Sequence, residues 1–152
     1  MEELIEEYIT KGLLRREKTG TDQVKKFLKR AGIDLRTAEI LLDIDRLNSH
    51  QCSYAAMSKM GRGLILFYGL RPEDGEQHKT VVNLCGVILG EKFQELIKYF
   101  DTMRKRRNSA SYDEPDTFVS EREAKNAVDH ARLFQIAVID HLAEKLGQKK
   151  LL

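Results

Sequence analysis

Tryptophan is absent from this chain, and proline and cysteine occur only twice each. Cys52 and Cys85 stand far apart with no CxxC pair, which excludes a zinc ribbon or a disulfide framework and fits two small core residues in a reducing compartment. No apolar run is long enough to span a bilayer, and the acidic opening Met1-Glu2-Glu3-Leu4-Ile5-Glu6-Glu7 lacks the basic start of a signal peptide. A cytoplasmic protein without a membrane segment is therefore expected. Strong charge is also missing: the formal net charge is +2, too mild for composition alone to argue for nucleic acid, so any basic surface has to be local. No Glu stands three residues before His50, His78, His130 or His141, which removes the di-iron pattern of helical bundles. There is no P-loop and no nucleophile elbow. Gly61-Arg62-Gly63 lacks both the third glycine and the preceding strand of a dinucleotide fingerprint, and reads instead as glycines that let two helices approach. No cofactor and no metal are expected.

What is present is helical periodicity. With 41% hydrophobic and 33% charged residues in 152, one domain with a real core is expected over residues 1–152. Residues 1–20 read as a short amphipathic helix, Glu2 to Leu14, followed by a charged linker. A bundle of about five helices follows over 21–149. Thr21 or Asp22 caps the first of these, and Val24, Phe27, Leu28, Ala31, Leu35, Ala38, Leu41 and Leu42 follow steps of three and four. Gly32 interrupts that pattern and implies a bend or a close crossing. The next helix is expected from about Ser49 to Tyr68, ended by Gly69 and Pro72, and another from Gln77 to Leu89. Ser120 with Glu123 makes a capping box for a long final helix, expected to fray near Gly147. The fold class is all-α, an antiparallel helical bundle with short connections.

The most informative stretch runs from Glu91 to Pro115. Phe93, Leu96, Ile97, Phe100 and Met103 form one apolar stripe, and the same step continues onto Arg104 and Arg107. Arginines on a core-facing line must find carboxylates or meet an anion. The plain structural alternative is an ion pair with Asp34, Asp43 or Asp129. His78, expected at the start of its helix, sits where the helix dipole disfavours imidazolium. Asn108 and Tyr112 follow Arg107 as the helix ends.

The sequence resembles the HEPN domain family, within it an uncharacterised prokaryotic subgroup similar to HEPN toxins paired with minimal nucleotidyltransferases. The resemblance runs over most of the chain. It is carried by Ala31 to Leu42, by Tyr54-Ala55-Ala56 and Gly69-Leu70-Arg71-Pro72, by His78, and above all by Met103 to Tyr112. It implies a homodimer in which two copies of the arginine-bearing helix end face one cleft. In catalytic members an arginine, a short spacer and a histidine there form a metal-independent endoribonuclease site. By that match Arg107 is the motif arginine, followed by Asn108. Tyr112, four residues further on after the spacer Asn108-Ser109-Ala110-Ser111, takes the place of the histidine. A phenol with a pKa of about 10 is a poor substitute for an imidazole near 6.5 in proton transfer at neutral pH, so binding survives this change better than catalysis. The resemblance thus implies an RNA- or nucleotide-binding protein, using Arg104, Arg107, Asn108, Tyr112 and His78, with a nucleotidyltransferase partner in a toxin–antitoxin manner and Tyr112 as the acceptor of adenylylation. The alternatives are a non-catalytic interaction scaffold, and an active ribonuclease using His78 from across the cleft.

Overall fold

The computed structural model describes residues 1–18, 20–73, 78–112 and 118–151, with the side chains of 108–112 and 148–151 outside that description. Helix α1 spans Glu2–Thr10, α2 Thr21–Leu41, α3 Arg46–Phe67, α4 His78–Leu89, α5 Gln94–Tyr112 and α6 Glu121–Leu151, and a single 3-10 turn, Glu91–Phe93, leads into α5. The all-α expectation is met. Helix α3, rather than α5, is the hub: it packs against α2, α4, α5 and α6. Its buried residues run almost all the way round it, from Tyr54, Met57 and Met60 to Leu64, Ile65 and Leu66. A helix that is apolar on every side belongs in the middle of a bundle.

Two small residues allow that position. A Cβ added at Gly61 would stand 2.8 Å from Val81 Cγ1 and 3.0 Å from Cys85 Sγ on α4, and one at Gly63 would stand 3.2 Å from Phe27 Cβ on α2. The Gly-Arg-Gly triplet is therefore a close-approach device on two sides of α3, as its sequence context implies. Gly32, by contrast, would meet only Gln135 Nε2, at 3.8 Å. The expected close crossing there is absent.

Four boundaries differ from expectation. Helix α1 stops at Thr10, and Leu14–Arg16 forms a strand, β1, paired antiparallel with β2, Leu70–Pro72, in the register Leu14 to Pro72 and Arg16 to Leu70. The pair is too short to show alternation, so no strand signal exists in the sequence. Gly69, at a φ of 74°, makes the turn from α3 into β2, and the Gly69 carbonyl accepts from the Glu17 N–H at 2.8 Å. Leu14 and Leu70 are buried, so the ribbon straps the amino-terminal segment onto the bundle. Arg71 clamps it further through Glu17. Helix α2 begins after Gly20 without a side-chain cap from Thr21 or Asp22. Helix α3 begins three residues early because Asp45 accepts from the Asn48 backbone N–H at 3.1 Å. Helix α6 starts as expected, with Ser120 Oγ accepting from the Glu123 N–H at 3.0 Å, but it continues through Gly147.

Gly61→Ala is expected to lower stability by about 1–2 kcal/mol, since the overpacking against α4 exceeds the helix-propensity gain. Gly32→Ala should raise it by up to about 1 kcal/mol. Urea unfolding of both variants measures the contrast; equal effects would contradict the packing.

Candidate functional site

Phe100 and Met103, both 1% exposed, carry the apolar stripe of α5 into the core. Beyond them the four consecutive basic residues 104–107 fan around the helix at about 100° per residue, and each meets a different environment. Arg104 is largely covered and pairs with Asp101 one turn back, Nε to Oδ1 at 2.8 Å. Lys105 holds the other oxygen of Asp101 at 3.3 Å. Burial works against ionisation of the Asp101 carboxyl, yet hydrogen bonds from Arg104 and Lys105 hold it below the usual carboxylate range. None of the expected partners serves Arg104: Asp34 is taken by Lys59 and Arg30, and Asp129 by Lys125 and Arg132. The local i−3 carboxylate wins because it needs no agreement between helices.

Arg106 ties three elements together. Its Nε donates to Glu123 Oε1 on α6 at 2.7 Å, and its Nη2 donates to the Phe118 carbonyl at 2.7 Å. Glu123 also faces the buried His50 of α3, with Nε2 3.9 Å from Oε1. Burial pushes the His50 imidazole below its ordinary value, against the pull of Glu123.

Arg107 is different. Its guanidinium carbon lies 5.6 Å from the ring centroid of Tyr54, a cation–π contact, and it borders an open cleft of about 390 Å³ with Leu41, Asn48, Gln51, Cys52 and Ala55. Among the described residues no carboxylate forms an ion pair with it. Tyr54 is 2% exposed and its hydroxyl is 2.8 Å from His78 Nδ1, the first residue of α4. Burial pushes the Tyr54 phenol up to about 12 even though Arg107, Arg104 and Arg62 all pull it down. The phenol keeps its proton at neutral pH, and whether its hydroxyl donates to His78 Nδ1 or accepts from it follows the tautomer of the imidazole.

The structure thus brings Arg107, Arg104 and His78 to one buried tyrosine within a single protomer. His78 and Arg107 both contact Tyr54 of their own chain. Asn108 and Tyr112 follow on α5, with side chains outside the described residues. Sequence reasoning gave Tyr54, Arg62 and Arg106 no role in the site. The one available signal was Arg62 itself, an arginine between two close-packing glycines.

A HEPN domain model matches residues 24–140, most of the chain and all of the elements that build this site. The chain belongs to the HEPN domain family. No curated protein matches the sequence. In this HEPN domain the described residues also show Tyr68 Oη 2.7 Å from His141 Nε2, and Tyr99 stacked on His130 with centroids 3.6 Å apart. Among the described residues no group of His, Cys, Asp or Glu is placed to hold a metal ion. No helix among them is long and apolar enough to cross a membrane. The chemistry on offer is a forked cation, an aromatic face and an imidazole.

Arg106→Ala should cost about 1–2 kcal/mol in urea unfolding, because it removes charge-assisted hydrogen bonds that solvent only partly screens. The folded state also keeps His50 neutral, whereas the unfolded chain takes up a proton near pH 6.5. The unfolded state therefore binds more protons in that window, and stability falls as pH drops from about 7 toward 5. His141, likewise held low first by burial, adds to the same fall. His50→Gln should flatten this slope; an unchanged slope would remove His50 as its source.

Proposed function

We propose that this HEPN domain binds the phosphates of RNA or of a nucleotide where α5 crosses α3, as a homodimer, and that it is the toxin-like partner of a nucleotidyltransferase. The observation that carries the reading is Arg107, held over the buried ring of Tyr54 with no ion pair among the described residues. A guanidinium fixed by an aromatic face keeps its donor fork available and pre-oriented, and a phosphate matches that fork bidentately. Arg104 adds charge nearby, although Asp101 offsets part of it. Asn108 and Tyr112, one and five residues past Arg107, complete the motif by family resemblance, with Tyr112 the acceptor of an adenylyl group. Support for the homodimer comes from Ile33 and Ile40 on α2 and Ile44 just beyond it, which are 46%, 60% and 75% exposed and form an apolar line on the outside of the bundle.

One observation favours a second reading, cleavage of RNA. Tyr54 fixes His78 Nδ1, so the orientation of the imidazole near Arg107 is set, as a general base requires. In that case His78 supplies the proton transfer that Tyr112 cannot.

Arg107→Ala is expected to weaken binding of a short single-stranded RNA and of ATP by roughly tenfold to a hundredfold, the size of one lost charge-assisted contact. Unchanged affinity for both would overturn the reading. Cleavage by the unmodified protein that is lost in both Arg107→Ala and His78→Asn would establish the second reading instead. Co-expression with a nucleotidyltransferase encoded beside it should add an adenylyl mass to the Tyr112 peptide, and Tyr112→Phe should abolish that mass.

A further inference from the structure

Between Gln51 and Lys59 the central helix α3 keeps one narrow stripe in contact with solvent: Gln51, Cys52, Ala55 and Lys59 are half-buried, and every residue between them is buried. Steps of three and four put these side chains on one face. Two clefts open along it. The first is the cleft beside Arg107, which Gln51, Cys52 and Ala55 line. The second, of about 220 Å³, starts at Lys59, four residues and so about 6 Å along the helix from Ala55, and is completed from α2 by Gln23, Lys26, Phe27 and Arg30. Lys26 and Arg30 stand four residues apart on α2 and turn to the same side. Helix α2 comes close here because Gly63 of α3 leaves room for Phe27. Among the described residues no carboxylate lines either cleft. Clefts elsewhere on the surface are mixed in charge: Glu91 and Asp101 line one of about 860 Å³ between α1, α4 and α5, and Glu123 lines one of about 320 Å³ where α5 meets α6. Asp34, buried one turn beyond Arg30, pairs with Lys59 and, at 3.2 Å, with Arg30. One carboxylate therefore serves two of the three cations, while Lys26 forms no ion pair among the described residues.

We propose that the cleft of Lys26, Arg30 and Lys59 is a second phosphate subsite, and that it and the Arg107 cleft together hold one RNA strand laid along the exposed stripe of α3. This rests on the proposed function and deepens it, because it names a strand rather than a mononucleotide as the ligand. Two cationic clefts about one helical turn apart suit an anion whose charges recur along a chain. A mononucleotide, with its phosphates together at one end, fills only one of them. The stripe between the clefts is neutral, and at Ala55 it is small, so a backbone can lie close to the helix. Phe27 gives the second cleft an aromatic wall, and a base stacked on such a wall beside a basic groove is held without its sequence being read. Arg71 lies 6.0 Å from the centroid of the same ring, but its guanidinium is engaged by Glu17.

The test titrates the full chain with ATP, a uridine dinucleotide and a uridine octanucleotide. It compares the unmodified protein with the double variant Lys26→Gln/Arg30→Gln, with Arg107→Ala, and with Lys92→Gln, an exposed lysine on the turn that leads into α5, at the opposite end from Arg107. The octanucleotide should bind the unmodified protein more tightly than the dinucleotide does. The double variant should weaken the octanucleotide by roughly tenfold or more and lower its salt dependence by about 1.4 in log–log slope, two contacts at about 0.7 each. Its affinity for ATP should not change, and Lys92→Gln should change nothing. Lys26 and Arg30 are both exposed and Asp34 keeps Lys59, so the double variant should hold the Tm of the unmodified protein. Should it fail to fold, Lys26→Gln alone breaks no ion pair and should lower the slope by about 0.7. Undiminished octanucleotide affinity in the double variant overturns the second subsite. An equal loss in Lys92→Gln, which marks general attraction to charge, or an equal loss for ATP, overturns it as well. Octanucleotide binding that is lost in Arg107→Ala but kept in the double variant removes the strand track alone. Binding of every ligand that ignores Arg107→Ala removes the proposed function, and the joined track with it, so the two failures are told apart.

Discussion

Burial of the Tyr54 hydroxyl is the constraint on which the rest of the site depends. Helix α3 can sit at the centre of the bundle only if what it carries inward is either apolar or hydrogen-bonded, and a buried hydroxyl left alone costs about 1–3 kcal/mol. Tyr54 meets that requirement through His78, which fixes the start of α4 against α3. The ring that delivers the hydroxyl also offers one face to Arg107 and an edge region to Phe100, with ring centroids 6.0 Å apart in the latter pair. A packing requirement of the core and the geometry of the site are thus the same contact. Ser49 shows the same rule at the α2–α3 seam, where its buried hydroxyl donates to the Ala38 carbonyl at 2.7 Å.

The basic run at the end of α5 shows how a short charged segment divides its tasks. Arg104 folds back on its own helix, Arg106 reaches α6, and Arg107 lies on α3. The division follows from helical rotation alone, since neighbouring residues point about 100° apart. Its electrostatic result is uneven. Asp101 and Glu123 offset part of the charge around Arg104 and Arg106, while the field at Tyr54 is dominated by arginines. A chain with a net charge of only +2 can in this way present a local cationic site.

Much of the fold was legible because it follows local rules. The steps of three and four along α2, α5 and α6, the Ser120 cap and the stop at Gly69 all act within a few residues of chain. The strand pair was not legible: Leu14–Arg16 and Leu70–Pro72 have too few residues to show a period, and their pairing closes a long loop of chain. Gly32 and Gly61 look alike in sequence, yet only Gly61 has a neighbouring helix within reach of an added methyl. The candidate site was legible in one residue, Arg107, through the stripe and the family resemblance. Of the carboxylates weighed as partners for Arg104, Asp34 and Asp129 are engaged elsewhere, and Asp101 on its own helix pairs with it instead.

The sequence by itself determined a bundle of helices with a basic run toward the end of α5, because apolar spacing and caps are written residue by residue. Only the tertiary structure decided which of those basic residues pairs with a carboxylate and which lies against the Tyr54 ring. Tyr54 and His78 are 24 residues apart, and Arg106 and Glu123 are 17 apart. Contacts over such separations depend on where helices cross, and the crossing is set by the shapes of many buried side chains together, which no local spacing records.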